Sequence, residues 1–184
     1  ARKMSMRSSL TGGLVLEDVR LPADALMPES RGLGSPLKCL NNARFSVAFG
    51  VMGAARFCLQ RTIDYTKERV QFGVPIAKKQ LVQGQIADMA QKVITGELLS
   101  VHTARQKDAG KLSPYQVSLA KRNNCRASLE VARQCRGLLG ANGITVDYGV
   151  IRHALNLEST YTYEGTHEIH ALIMGRGLTG YDAF

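Results

Sequence analysis

The sequence predicts a mainly α fold, an antiparallel bundle of the four-helix type preceded by two short strands. Three observations carry this. Three long stretches repeat apolar residues every three or four positions, which places those residues on one helix face. The connections between them are short, and short connections make neighbouring helices antiparallel. Of the 184 residues, 45% are hydrophobic, 6% aromatic and none tryptophan, which suits one helical domain with a sizeable core.

Residues 3–7 alternate polar and apolar side chains. Residues 13–19 resume the pattern after the Thr11-Gly12-Gly13 turn and stop before Pro22. A two-stranded ribbon is marginal in water, so these strands are expected to belong to a larger sheet. Residues 22–36, rich in Gly, Pro and Ser, read as a linker. From about 40 to 67, Ala48, Met52, Ala55, Leu59 and Ile63 mark a long helix, and its small residues Gly50, Gly53, Ala54 and Ala55 are expected to admit a neighbouring backbone. Residues 68–75 read as a helix end broken by Gly73 and Pro75. A second helix over 79–107 carries Val82, Ile86, Met89 and Val93 on one stripe. Ser113 with Gln116 forms a capping box, and Pro114 takes the first position of a third helix that runs to about 139. Gly140-Ala141-Asn142-Gly143 ends it. A shorter helix over 147–158 and a last one opening near 166 complete the bundle, and no internal repeat is visible.

Twenty-four Lys and Arg outnumber 15 Asp and Glu, giving a formal charge of +9, so an anionic partner is expected. Nucleic acid is not that partner: the basic residues are spread along the chain, without a helix-turn-helix, zinc-finger or aromatic RNA-binding signature. A phosphate-rich cofactor such as coenzyme A accounts for the sign. Cys39, Cys58, Cys125 and Cys135 lack C-x-x-C spacing and fall in or beside apolar helical patterns, so they read as reduced core thiols of an intracellular protein. No uninterrupted apolar run nears the ~20 residues that span a bilayer, so no membrane insertion is expected. With no starting Met and no signal or transit segment, the chain reads as a piece of a longer protein, and its compartment is not legible.

The chemistry concentrates in residues 161–170. Glu164 sits between the aromatic pair Tyr161 and Tyr163 and a Gly-Thr step, and Thr166 is a good N-cap for the apolar run Ile169, Ala171, Leu172, Ile173, Met174. A carboxylate on such a helix-entry loop is either a solvated acid near a positive helix end or, in a dry slot made by the tyrosines and Gly165, a base. Spacing alone favours the first. A di-iron bundle needs two Glu-x-x-His pairs, whereas Glu164 and His167 give one, broken by Gly165; His167 and His170 are three apart, not the four of a zinc protease helix. No metal is expected. Lys121-Arg122-Asn123-Asn124 reads as a polar face, and His102 and His153 have no evident partner.

Tyr163-Glu164-Gly165-Thr166 followed by Glu168-Ile169 resembles the catalytic loop of the flavin-dependent acyl-CoA dehydrogenases, and the similarity runs from about residue 1 to the end. His167 and His170, with Leu40-Asn41-Asn42-Ala43-Arg44 upstream, narrow it to the glutaryl-CoA branch of that family. The resemblance implies that Glu164 removes the α-proton of an acyl-CoA thioester, that its amide N–H helps polarise the thioester carbonyl, and that FAD accepts the hydride. For glutaryl-CoA it implies decarboxylation to crotonyl-CoA and CO2, with electrons passed to electron-transfer flavoprotein. Another short or branched-chain acyl-CoA is the alternative substrate. A non-catalytic helical module that binds acyl-CoA or a partner protein is the alternative of another class.

The same resemblance divides the chain into the end of a middle β-domain (1–22), a linker (23–38) and a C-terminal helical bundle (39–184). It implies a homotetramer, a dimer of dimers, in which each flavin is shared between two chains, in the mitochondrial matrix of a eukaryote or the cytoplasm of a bacterium. Substrate contacts are implied for Leu37, Lys38, Cys39, Leu40, Asn41, Asn42, Ala43, Arg44, Tyr163 and Gly165. Asn41 and Asn42 also read as an N-cap for the helix beginning near Ala43. Cofactor contacts are implied for Arg69, Gln71, Phe72 and Gln80, for Gly137, Leu138, Leu139, Gly140 and Ala141, and for Thr166, His167 and Glu168. The fork of Arg69 suits a diphosphate, with a solvated helix-end Arg as the plain alternative. Residues 137–141 also read as an ordinary helix C-cap. Gly137 stands where many relatives carry Gln, and His167 where many carry a small residue.

Overall fold

Three long helices, α1 (Gly34–Glu68), α2 (Gln80–Asp108) and α3 (Pro114–Leu138), and the shorter α4 (Val150–Thr162) alternate in direction; α5 (His167–Thr179), as short as α4, follows. The computed structural model describes residues 2–183. Contacts at both ends fix the directions. Asn124 of α3 reaches Ala48 of α1, while Asn142, just past the end of α3, donates through Nδ2 to Tyr65 Oη in the last turn of α1 at 3.2 Å, so α1 and α3 run parallel with the antiparallel α2 between them in sequence. The expected antiparallel bundle is therefore present, with α3 at its centre against α1, α2, α4 and α5.

The core follows the predicted stripes: Met52, Ala55 and Leu59 from α1 meet Met89 and Val93 from α2, Leu129 and Ala132 from α3, and Leu157 from α4. Ser113 Oγ accepts from Gln116 N, and Gln116 Oε1 accepts from Ser113 N at 2.8 Å, so the capping box forms as expected. Asn124, fully buried, lies within hydrogen-bond distance of Ala48 O, Gly96 O and Ser100 Oγ and ties three helices together. The close helix approach falls at Gly96, where a Cβ would come 2.6 Å from Met52 Cε and 3.1 Å from Asn124 Oδ1. Gly50 and Gly53, expected to serve that purpose, instead face open space.

Other expectations are corrected. Residues 3–7 and 13–19 form no strand; Leu14, Val15, Leu16 and Val19 are exposed, because no ladder partner lies beside them among the described residues. Residues 5 and 6 are pinned to α4 instead, through Ser5 Oγ on Ser159 Oγ and Met6 N on Asn156 Oδ1 at 2.7 Å. α1 opens at Gly34, so residues 34–38 are helix rather than linker. Pro36 falls in the first turn, where its missing N–H costs no hydrogen bond. Asn41 and Asn42 consequently lie inside α1 and cap nothing.

The segment after α1, read as a broken helix end, is a hairpin of β1 (Val70–Gln71) and β2 (Val74–Pro75). Phe72 and Gly73 both take positive φ, +54° and +78°, the conformation a two-residue hairpin turn requires. Two-residue strands are too short to print an alternating pattern. α4 runs Val150–Thr162 rather than 147–158, entered through Gly149 at φ +72°. Of the four cysteines, Cys58, Cys125 and Cys135 are buried thiols, but Cys39 is exposed on α1. No described helix is long and apolar enough to cross a membrane.

Candidate active site

α4 stops because Tyr163, its C-cap, turns to extended backbone (φ −79°, ψ 167°), with its N–H still on Ser159 O at 2.8 Å. Glu164 then takes φ +56° and Gly165 φ +96° before Thr166 caps α5, its Oγ1 accepting from Ile169 N. A non-glycine residue in the left-handed region costs on the order of 1 kcal/mol and persists only where its surroundings hold it. Two cations do so here. Arg44 Nε donates to Glu164 O at 2.7 Å, and Lys121 Nζ donates to Tyr163 O at 2.9 Å and Gly165 O at 2.8 Å. Three consecutive carbonyls are thereby drawn toward the bundle. Gly165 is required: a Cβ there would come 3.0 Å from His170 Nε2 and 3.3 Å from Arg44 Nη2.

Glu164 is half-buried, and its Oε2 is buried with no hydrogen-bond partner. A carboxylate oxygen left so is costly unless something else approaches it. Lys121 is 1% exposed; burial draws its ammonium below the ordinary lysine value, Arg44 adds to that, and Cys125 and Glu164 oppose it. Burial, with the Glu164 charge second, raises the Tyr163 phenol. His170 is fully buried, with Nδ1 on Ser118 Oγ at 3.1 Å and Nε2 unpartnered. Burial first, then the Lys121 and Arg44 charges, pushes it down to about 4, so it is neutral. His167 stacks on Tyr161 at 4.6 Å and is lowered by burial and by Arg122. Glu168, exposed at the start of α5, is held low by the helix-end amide and the Thr166 hydroxyl.

Two recesses flank the loop. One, of about 240 Å³ between α1 and α4, is lined by Val47, Val51, Ala54, Leu157, Thr160 and Tyr163. The other, of about 530 Å³, lies where α1, α3 and α5 converge and is lined by Leu37, Asn41, Arg44, Tyr115, Ile173 and Arg176. Of the predicted substrate residues, Leu37, Asn41, Arg44, Tyr163 and Gly165 thus gather at the loop. Asn41 Oδ1 also accepts from Arg44 Nη1 at 3.2 Å. Lys38, Cys39 and Asn42 are exposed on α1 away from these contacts, and Leu40 and Ala43 are half-buried.

The predicted cofactor residues fall into two groups that this chain does not bring together. Thr166, His167 and Glu168 adjoin Glu164. Arg69, Gln71, Phe72 and Gln80, with residues 137–141, lie at the opposite end of the bundle, since Arg44 and Glu68 are ~36 Å apart along α1 at ~1.5 Å per residue. That end offers an exposed Arg69, a Phe72 that is 92% exposed with Lys79 Nζ 5.8 Å from its ring, and bare backbone at Gly137 and Gly140. An arginine fork, an open aromatic face and unobstructed peptide fit a diphosphate joined to flat rings.

The reading of residues 121–124 as a polar face fits the exposed Asn123 but fails for Lys121 and Asn124, which are among the most buried side chains. The signal was there. Val117, Lys121, Asn124 and Ser128 recur at helical spacing on the buried stripe of α3. Arg176, the cation at the far side of the larger recess, was also missed, and nothing local in the sequence marks it. Among the described residues no group of three or more His, Cys, Asp or Glu can hold a metal ion.

Residues 30–179 match the family described as "Acyl-CoA dehydrogenase, C-terminal domain". A glutaryl-CoA dehydrogenase structure from Mycobacterium smegmatis superposes with a TM-score of 0.98 at 54% identity, over all of this chain and 48% of that one. A second from that organism, in complex with FADH2, gives 0.97 at 50%, again over all of this chain and 48% of the other. The short-chain specific acyl-CoA dehydrogenase of Megasphaera elsdenii is 31% identical over 96% of this chain and 46% of its own. The chain thus spans about half the length of the relatives it matches, and the expected likeness to the glutaryl-CoA branch is borne out. From its matched domain and the bundle that carries the Glu164 loop, the chain belongs to the acyl-CoA dehydrogenase family.

Proposed function

We propose that this chain is the base-bearing C-terminal domain of an FAD-dependent acyl-CoA dehydrogenase acting on glutaryl-CoA. The observation that carries the proposal is Glu164: a half-buried carboxylate with one unpaired oxygen, on a strained loop fixed by Arg44 and Lys121. In this reading Glu164 takes the α-proton of the thioester. Glu164 Oε2 is already out of contact with water, and the substrate's entry excludes water from the rest of the carboxylate, which favours proton transfer. The thioester carbonyl needs donors, and the Glu164 N–H, free of any partner among the described residues, is one. FAD, when bound, supplies the acceptor for the hydride that leaves the β-carbon. After oxidation the substrate's γ-carboxylate is conjugated to the carbonyl and can leave as CO2, and protonated Glu164 returns its proton to the resulting dienolate.

The recess beside Arg44 suits the arm of coenzyme A, with the exposed Arg176 at its far side, held at 2.9 Å by Asp182, as the cation that a phosphate would draw from that carboxylate. The hairpin and residues 137–141, too far from Glu164 to meet the same ring, serve the flavin of a neighbouring subunit, which supports the homotetramer with shared flavins. Electrons leave to electron-transfer flavoprotein, and residues 1–22, which form no strand pairing among the described residues, belong to the end of a β-domain. The compartment follows the host: mitochondrial matrix or bacterial cytoplasm. Glutaryl-CoA is favoured over a short-chain substrate because the glutaryl-CoA dehydrogenases match at 54% and 50% identity against 31%. A silent acyl-CoA-binding module has no use for a strained, unpaired carboxylate.

The test uses the full-length protein that carries this chain. Glu164→Gln is expected to keep its flavin and bind the thioester while α-proton exchange disappears; unchanged exchange overturns the assignment. Release of labelled CO2 from glutaryl-CoA, with butyryl-CoA and isovaleryl-CoA turned over poorly, is the expected substrate pattern. Faster turnover of butyryl-CoA without CO2 would favour the short-chain alternative.

A further inference from the structure

We propose that Lys121 is a positioning residue that aims the Glu164 amide N–H at the substrate carbonyl. The inference rests on the proposed function and extends it to a residue outside the reacting loop. In a trans peptide the C=O and the following N–H point in opposite directions. Lys121 Nζ accepts no freedom here: it donates to Tyr163 O at 2.9 Å from a position 1% exposed inside the bundle. The Tyr163–Glu164 peptide therefore has its oxygen turned inward toward Lys121 and its N–H turned the opposite way, out of the bundle.

The second bond of Lys121, to Gly165 O at 2.8 Å, and the bond of Arg44 to Glu164 O fix the next two peptides as well. A single peptide flip between residues 163 and 164 would bury the N–H against the ammonium, and the two donors would repel. The loop has a reason to flip, since Glu164 at φ +56° is strained. A methionine would fill the same space on α3 without the desolvation of a charge. The two carbonyl bonds are what the lysine adds.

The experiment compares full-length flavoprotein variants by two readouts: α-proton exchange, and the infrared carbonyl stretch of bound crotonyl-CoA labelled with carbon-13 at C1. The stretch moves to lower frequency when the carbonyl is polarised, and a merely structural residue leaves it in place. Lys121→Met is expected to lose most of that downshift and about 100-fold in exchange rate, with flavin content unchanged. Lys121→Gln, which keeps a donor but no charge, is expected to recover part of the downshift. A wild-type carbonyl frequency in Lys121→Met overturns the proposal. Should that variant fail to fold, Lys121→Leu, which also removes both donors, decides, and a full wild-type downshift there overturns it. Glu164→Gln separates this from the proposed function: it is expected to keep the downshift and lose exchange, so undiminished exchange in that variant sinks the function whatever Lys121 does.

Discussion

Single residues decide the character of the loop, and most of them are buried polar groups. Arg44, Lys121 and His170 surround the Glu164–Gly165 backbone, two charged and one neutral. His170 is the one whose state shows in stability. Its folded value, about 4, lies below the ordinary 6.5, so the unfolded chain takes the proton first as pH falls. The stabilisation is complete above about 6.5 and is lost as pH falls toward 4, by at most roughly 3 kcal/mol. His170→Gln is expected to flatten that part of the stability profile. Denaturant midpoints of the two proteins at pH 7 and pH 4.5 check it, and equal losses in both would contradict it. His153 and His167, lowered in the same direction, are common to both proteins and cancel.

At the scale of elements, local signals proved most faithful where the hydrogen bonds are local. The Ser113 capping box joins residues three apart, and both of its bonds form. Ser113→Ala is expected to destabilise the bundle by about 1 kcal/mol, read from thermal or denaturant unfolding, with the helix content of the folded state unchanged. Thr166 caps α5 for the same reason. Two boundaries without a side-chain cap were displaced: α1 begins before Asn41, and α4 ends where the Tyr163 backbone turns. The hairpin escaped notice because its strands are two residues each.

For the whole molecule the deciding fact is the length of the bundle. Glu164 lies at one end, and Arg69, Phe72 and Gly140 at the other, ~36 Å along α1. Neither group is a complete flavin site, so the 184-residue chain alone is expected to take up FAD weakly and without fixed stoichiometry. Equilibrium dialysis or fluorescence titration checks this, and tight one-to-one uptake would overturn the shared-site reading. The exposed apolar side chains Leu14, Val15 and Leu16 belong to the same picture, since nothing among the described residues covers them.

The sequence by itself determined the helical class, the three long stripes, the caps at Ser113 and Thr166, and the carboxylate on its loop. Each of these rests on residues within a few positions of one another, where spacing is geometry. Only the tertiary structure decided that Lys121 and Asn124 face inward, that Arg44 reaches across 120 positions to the Glu164 carbonyl, and that the two groups of residues expected to hold the cofactor stand apart. Those outcomes depend on how α1, α3 and α4 pack. A side chain's partner on another helix is set by that packing, not by its neighbours in the chain.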